Sequence, residues 1–305
     1  MPASLRALLA QAIDYAGMFP PCSLDVAAAL KKQADYVHSA DAWMLSTFVL
    51  PLAQFNAATT SIAIFDRKYP LRLSVLGPKT ENASAFRSAL KEMVEVIKRF
   101  SSEHAGQIVI SQLEMLLPAD TDLKILAEAR PVIDQAQVSV FWETPAESAE
   151  RTIDLLSKHE QEKHPRPFGY KLRTGGVIAD AFPTSGQISR ALVAAAQHHI
   201  RIKFTAGLHH PIRQFRDEVN TKMHGFLNVL GAGVLAAEHS WDEGQTSAML
   251  EDEDPNSFSF DDTLFAWREW EIATDRIKAR RKFVTSFGSC SFDEPREDLR
   301  ALQFL

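Results

Sequence analysis

The chain of 305 residues has only two cysteines, Cys22 and Cys290, at opposite ends of the sequence. That scarcity excludes a disulfide-stapled scaffold and, with no Cys-x-x-Cys spacing, a structural zinc site of that type. The two thiols could form one bridge, but in a reducing compartment they are expected to be free. No apolar run is long enough to span a bilayer. The N-terminus, Met1-Pro2-Ala3-Ser4-Leu5-Arg6, carries neither the apolar segment nor the cleavage pattern of a secretory leader. A cytoplasmic protein with no membrane partner is therefore expected. Positive charge is also short, since the formal net charge is -6. Phosphate binding needs a concentrated basic surface, so no nucleic-acid partner is expected. The one basic cluster, Lys278-Ala279-Arg280-Arg281-Lys282, falls in a stretch of interleaved charge from Trp267 to Lys282 that reads as a solvated helix face.

What is present is an ordinary globular composition, 46% hydrophobic and 24% charged, enough to bury a core without staples or metal clips. Short apolar runs alternate with longer helical patterns almost throughout, the signature of repeated βα units. Strands are predicted at Ile13 to Met18, Trp43 to Leu50, Leu71 to Leu76, Ile108 to Leu117, Val138 to Trp142, Phe168 to Arg173, Ile200 to Thr205 and Gly225 to Val229. Ser23, Asp120 and Thr184 or Ser185 mark helix starts, and a polar linker, Glu160 to Pro167, leads into the sixth strand. Eight such units predict an α/β fold, a (β/α)8 TIM-type barrel over residues 1–245. Residues 246–305 are expected to add an acidic loop, Glu251 to Asp262, then a helix and a C-terminal tail. The tail is too apolar at Leu299, Leu302, Phe304 and Leu305 to dangle, so it should pack on its own barrel or on a neighbouring subunit, which would make a homo-oligomer.

In a parallel barrel the side chains alternate between lumen and helix layer, and active sites gather at the C-terminal ends of the strands. Charged residues inside otherwise apolar strands therefore call for a reason. Here they are Glu114 and Glu143, Lys171 with Arg173 two positions on, and Lys203 with Thr205 two positions on. Each could be a solvated rim residue or part of an ion-pair set, but as a group they point to a site. A lysine beside other cations in a dry pocket loses its proton more easily and becomes a nucleophile able to form a Schiff base with a carbonyl. Glu114 or Glu143 could then carry the protons, and Arg173 could hold a substrate carboxylate or phosphate.

The order Phe-Trp-Glu-Thr (141–144), Gly-Tyr-Lys-Leu-Arg-Thr-Gly-Gly (169–176) and Ile-Lys-Phe-Thr-Ala-Gly (202–207) resembles strands five to seven of the deoxyribose-phosphate aldolase group of class I aldolases. The resemblance implies Lys171 as Schiff-base lysine and Lys203 as the residue that tunes it, with no cofactor. It also implies phosphate-binding backbone amides at Gly207 and at the Gly231-Ala232-Gly233 turn. Two departures, Arg173 in place of a small polar residue and His209-His210-Pro211 in place of a glycine-rich turn, leave the substrate a small anionic carbonyl compound that need not be a sugar phosphate.

Further candidates for substrate contact are Asp14, which could instead cap a turn, and His209, His210, His224 and Asn228. Cys290 could be a nucleophile if a histidine activated it, and is otherwise inert. Two other readings stay open: a metal-assisted isomerase or hydrolase using Glu114, Glu143 and His209, and a barrel that binds an anionic metabolite without turnover.

Overall fold

The structure, a computed structural model, describes residues 1–161 and 164–305. Barrel strand β1 spans Ile13–Tyr15, β2 Leu45–Pro51, β3 Leu71–Leu76, β4 Ile108–Leu116, β5 Ser139–Glu143, β6 Gly169–Arg173, β7 Arg201–Thr205 and β8 Val284–Ser289. Each pairs in parallel with the next, and β8 closes the ring onto β1 through Ile13↔Phe287, Asp14↔Gly288 and Tyr15↔Ser289. Each strand is followed by a helix, as a (β/α)8 barrel requires.

Local chemistry explains most boundaries. Asp25, Asn82 and Asp122 accept backbone N–H bonds at the starts of helices Val26–Tyr36, Ala83–Glu103 and Leu123–Asp134, and Thr184 forms a reciprocal capping box with Gln187. Ser23 is not a cap; it turns the chain with a φ of 47° two residues earlier. The polar linker before β6 includes residues 162 and 163, which lie outside the described residues.

The first seven strands lie where the apolar pattern puts them, within a few residues. The eighth does not. Residues 225–229 enter a helix, Phe226–His239, buried along its first three turns, because a short apolar run fits a buried helix as well as a buried strand. The eighth barrel strand comes instead from Val284–Ser289, part of the stretch assigned to the tail, so a barrel boundary at residue 245 falls inside the β7–β8 connection. That connection also holds a hairpin (Gln214–Arg216 with Thr221–Met223) and a three-stranded antiparallel sheet (Phe258–Phe260, Leu264–Trp267, Trp270–Ala273). The helix expected over Trp267 to Lys282 is shortened to Thr274–Arg280 by that sheet. The acidic stretch Glu251 to Asp262 is not wholly exposed either: buried Asp252 accepts from Trp267 Nε1 at 3.0 Å and pairs with Arg268 at 2.8 Å.

After β8, helix Asp293–Ala301 buries Leu299, and Leu302, Phe304 and Leu305 pack against the chain's own core. Among the described residues no helix is long and apolar enough to cross a membrane.

Candidate active site

Strand alternation sorts the side chains. On β6, Tyr170 and Leu172 join the hydrophobic core, which leaves Lys171 and Arg173 for the lumen; on β7, Ile202 and Phe204 do the same and leave Lys203 and Thr205. The register sets Glu143 beside Lys171, Lys171 beside Lys203, and Arg173 beside Thr205.

At the barrel's centre Glu114 bridges the two lysines. Its Oε2 accepts from Lys171 Nζ at 2.8 Å and its Oε1 from Lys203 Nζ at 2.6 Å. Lys171 Nζ also meets Glu143 Oε2 at 2.8 Å, and Lys203 Nζ meets Asp14 Oδ2 at 2.9 Å and Gln112 Oε1 at 2.7 Å. Ser74 Oγ donates to Glu114 Oε1, Thr47 Oγ1 to Asp14 Oδ1 and Ser286 Oγ to Asp14 Oδ2, each at 2.6 Å.

Two buried cations thus face three carboxylates, and the balance reverses the lowered lysine pKa expected from the sequence. Burial alone pushes the Lys171 amine down, but attraction to Glu114 and Glu143 outweighs it and the net direction is up. Lys203 behaves alike, with burial overcome by Asp14 and Glu114. Burial likewise favours a neutral Glu114, yet Lys171 and Lys203 hold its carboxyl well below the usual range. The resting cluster is a set of ion pairs, and Glu114 stays ionised.

Above the cluster lies a cavity of about 190 Å³. Its lining includes Lys171, Glu114, Arg173, Thr205, Gly207 and His209. Phe19, Pro20, Pro21, Val49 and Leu76 add apolar surface to it, and Cys290 also lines it. Lys203, 1% exposed, is not part of this lining, and among the described residues Lys171 is the one lysine that is. Arg173 Nε donates to Gly175 O at 3.0 Å, and the guanidinium makes no ion pair among the described residues. Gly207 has a φ of 75° and passes so close to Gly175 that an added Cβ would stand 2.8 Å from its Cα. Only glycine lets those two loops meet at the cavity edge.

His209 and His210 are both buried and face the tail. His209 Nδ1 meets Glu294 Oε2 at 2.9 Å, a bond that with burial working against it holds Glu294 below the usual carboxylate range. His210 Nδ1 meets Asp298 Oδ2 at 2.6 Å. His210 lies outside the lysine cavity, in an adjoining one of about 140 Å³ shared with Glu218 and Glu294.

Several expected ligand contacts are structural. Asp14 is fully buried and bound to Thr47, Ser286 and Lys203, so it neither reaches the cavity nor caps a turn. Asn228 accepts from Arg213 N at 2.9 Å and donates to Met249 O and Asp252 O at 2.8 Å, fixing the β7–β8 connection. Gly231 and Gly233 lie inside helix Phe226–His239 rather than in a phosphate-binding turn. Added Cβ atoms there would meet Met249 Cε at 2.4 Å and Val284 Cγ2 at 2.8 Å, so they are glycine for packing. His224, lowered to about 4 by burial, is held neutral between Arg213 and Pro183 O. Burial pushes the Cys290 thiol up to about 12, the opposite of an activated nucleophile.

The trio Glu114, Glu143 and His209 does not assemble as a metal site. Both Glu114 oxygens already serve lysines, and among the described residues no group of three or more His, Cys, Asp or Glu is placed to hold an ion.

The sequence reading missed Gln112, Ser74, Thr47 and Ser286. Gln112 shares the Glu114 face of β4, and Ser74 breaks the apolar run of β3; both signals were available.

No family model matches this chain, and no curated protein matches it. Among solved structures it is similar to a tetrameric deoxyribose phosphate aldolase from Aeropyrum pernix, at 10% identity and a TM-score of 0.48, over 99% of this chain and 98% of that one. The resemblance is remote.

Proposed function

We propose that this barrel is a class I aldolase-like lyase that forms a Schiff base through Lys171 with a small anionic carbonyl compound. The observation that carries the reading is a cavity-lining lysine bracketed by two carboxylates, with Arg173, which makes no ion pair among the described residues, lining the same cavity. A lysine inside a barrel strand needs partners, but structure alone does not require it to face a cavity.

The roles divide by environment. Glu114 is locked as a carboxylate by two ammoniums, so it orients the lysines rather than exchanging protons. Glu143 touches Lys171 and remains partly accessible, which suits it to carry the proton. As substrate enters, Lys171 passes a proton to Glu143 and the neutral amine adds to the carbonyl carbon. Glu143 returns that proton to the resulting oxygen and relays a second one from the nitrogen, so that the oxygen leaves as water and gives the iminium. That positive centre withdraws electrons from the carbon–carbon bond one atom away, which breaks as the β-hydroxyl gives its proton to Glu143 and departs as an aldehyde; the enamine left behind is protonated at carbon, and water hydrolyses the iminium to free the product and Lys171. Lys203, fixed by three acceptors, supplies charge without access to substrate. Arg173 anchors a carboxylate or phosphate, with Thr205 and the Gly207 backbone beside it, and the Phe19 to Pro21 wall takes the uncharged part. In this reading the protein works without a cofactor and in the cytoplasm, and the surface bearing the tail helix is where copies of the chain would associate.

Borohydride trapping tests the proposal. After incubation with pyruvate, small aldehydes and sugar phosphates, reduction should add the mass of one carbonyl compound to Lys171, and Lys171→Met should abolish it. An adduct on a surface lysine only, or none across the panel, would overturn it. Arg173→Gln should raise the concentration needed for half-maximal trapping of an anionic compound roughly tenfold, the worth of one charge-assisted contact. It should leave neutral aldehydes unaffected.

A further inference from the structure

Closure of the barrel brings the two ends of the chain together at its mouth, and with them the two cysteines. Tyr15 ends β1 and pairs with Ser289 at the end of β8, and Ala16 N donates to Ser289 O at 2.7 Å. Cys290 is the next residue and lines the lysine cavity. Cys22 sits on the loop leaving β1, which is folded back on itself by Ser23 N to Phe19 O and Leu24 N to Gly17 O, both at 3.0 Å. The two Sγ atoms stand 2.9 Å apart although 268 positions separate them in sequence. Cys22 is exposed and Cys290 buried.

We propose that Cys22 and Cys290 are a reversible oxidation site: a dithiol that reacts with a hydroperoxide and becomes a disulfide clamping the mouth loop to β8. The fold already holds the two sulfurs in contact, so bond formation asks for an approach of only about 1 Å.

The exposure of the two thiols sets the order of steps. The Cys22 thiolate meets the oxidant first and attacks a peroxide oxygen; the O–O bond breaks, two electrons pass to the oxidant, and a sulfenic acid and one water or alcohol result. Cys290 sulfur then attacks Cys22 sulfur. The S–S bond forms, the S–O bond breaks, and hydroxide departs with the Cys290 proton as water. Burial that raises the Cys290 thiol slows this second step, and it is contact with the Cys22 sulfur that fits Cys290 for the resolving role. A small dithiol reverses the change by thiol–disulfide exchange.

The position gives the clamp its consequence. Phe19, Pro20 and Pro21, next to Cys22, line the same cavity as Lys171, and so does Cys290. A crosslink there also closes a loop of most of the chain, which restricts the unfolded state strongly. None of this depends on the lysine chemistry.

The test uses the full chain, reduced, freed of reductant, and treated with equimolar hydrogen peroxide before thiol alkylation. The expected product has lost the mass of two hydrogens, resists alkylation at both cysteines, and yields a linked Cys22–Cys290 peptide. Its thermal midpoint should rise by roughly 5 °C or more and return to the starting value with dithiothreitol. Cys290→Ser should stop at an oxidised Cys22 without the rise in midpoint. If both thiols of the wild type still alkylate, or Cys22 goes to sulfinic acid while Cys290 stays reduced, the proposal fails.

Discussion

At the scale of single residues, the buried ion cluster decides how the site rests. Removing one member leaves its partners charged and dry, which costs far more than losing a surface pair. Glu114→Ala, which takes one of two carboxylates from each lysine, should destabilise the protein by about 3–5 kcal/mol in a denaturant titration. The pH dependence has a definite sign. Glu114 titrates lower when folded, so its contribution is present above the usual carboxylate range and fades as the medium becomes acidic. Lys171 and Lys203 titrate higher when folded, so theirs is present below the usual lysine value and fades as pH rises through the folded values. In Glu114→Gln both lysines lose an attraction while burial still opposes their charge. The alkaline loss of thermal stability should therefore be smaller, and complete at a lower pH, than in the wild type. An unmoved alkaline limb would mean that Glu114 does not hold the lysine protons.

At the scale of elements, the helix Phe226–His239 and strand β8 are the parts most easily mistaken from sequence. Asn228 has the chemistry of a ligand contact, yet it ties three backbone groups of one long connection together. Asn228→Ala should cost about 1–3 kcal/mol by leaving those groups unsatisfied, while trapping at Lys171 is unchanged. Gly233→Val should destabilise too, since its Cβ would press on Val284 in β8. Had these glycines formed a phosphate turn, the same change would abolish anion binding and leave stability nearly intact. Measuring both properties on each variant separates the two roles.

At the scale of the whole molecule, the last strand makes the barrel. Removing residues 284–305 opens the sheet between β7 and β1, exposes two strand edges and takes away Ser286, a partner of Asp14. Such a chain should lose cooperative thermal unfolding, as read by calorimetry or circular dichroism. A truncation that melts as sharply as the full chain would show the barrel closing without β8. The tail helix contributes at this scale as well, because Glu294 and Asp298 reach His209 and His210 and so fix the loop after β7 from the opposite end of the chain.

The amino-acid sequence by itself determined the βα rhythm, seven of the eight strands, and the face on which Lys171, Arg173, Lys203 and Glu114 lie. Each of those follows from period-two alternation and local turn chemistry, which act over a few residues. Tertiary structure alone decided what depends on distant partners. Ser286-Phe287-Gly288-Ser289 shows strand-like alternation in sequence, but its place as β8 rests on pairing with Ile13–Tyr15. The charge state of the lysines could not be inferred from neighbours in sequence, because Asp14 reaches Lys203 from the far end of the chain and supplies the third carboxylate. The meeting of Cys22 with Cys290 has the same origin. Closure of a barrel joins the first strand to the last, and no local pattern encodes which residues that seam will bring into contact.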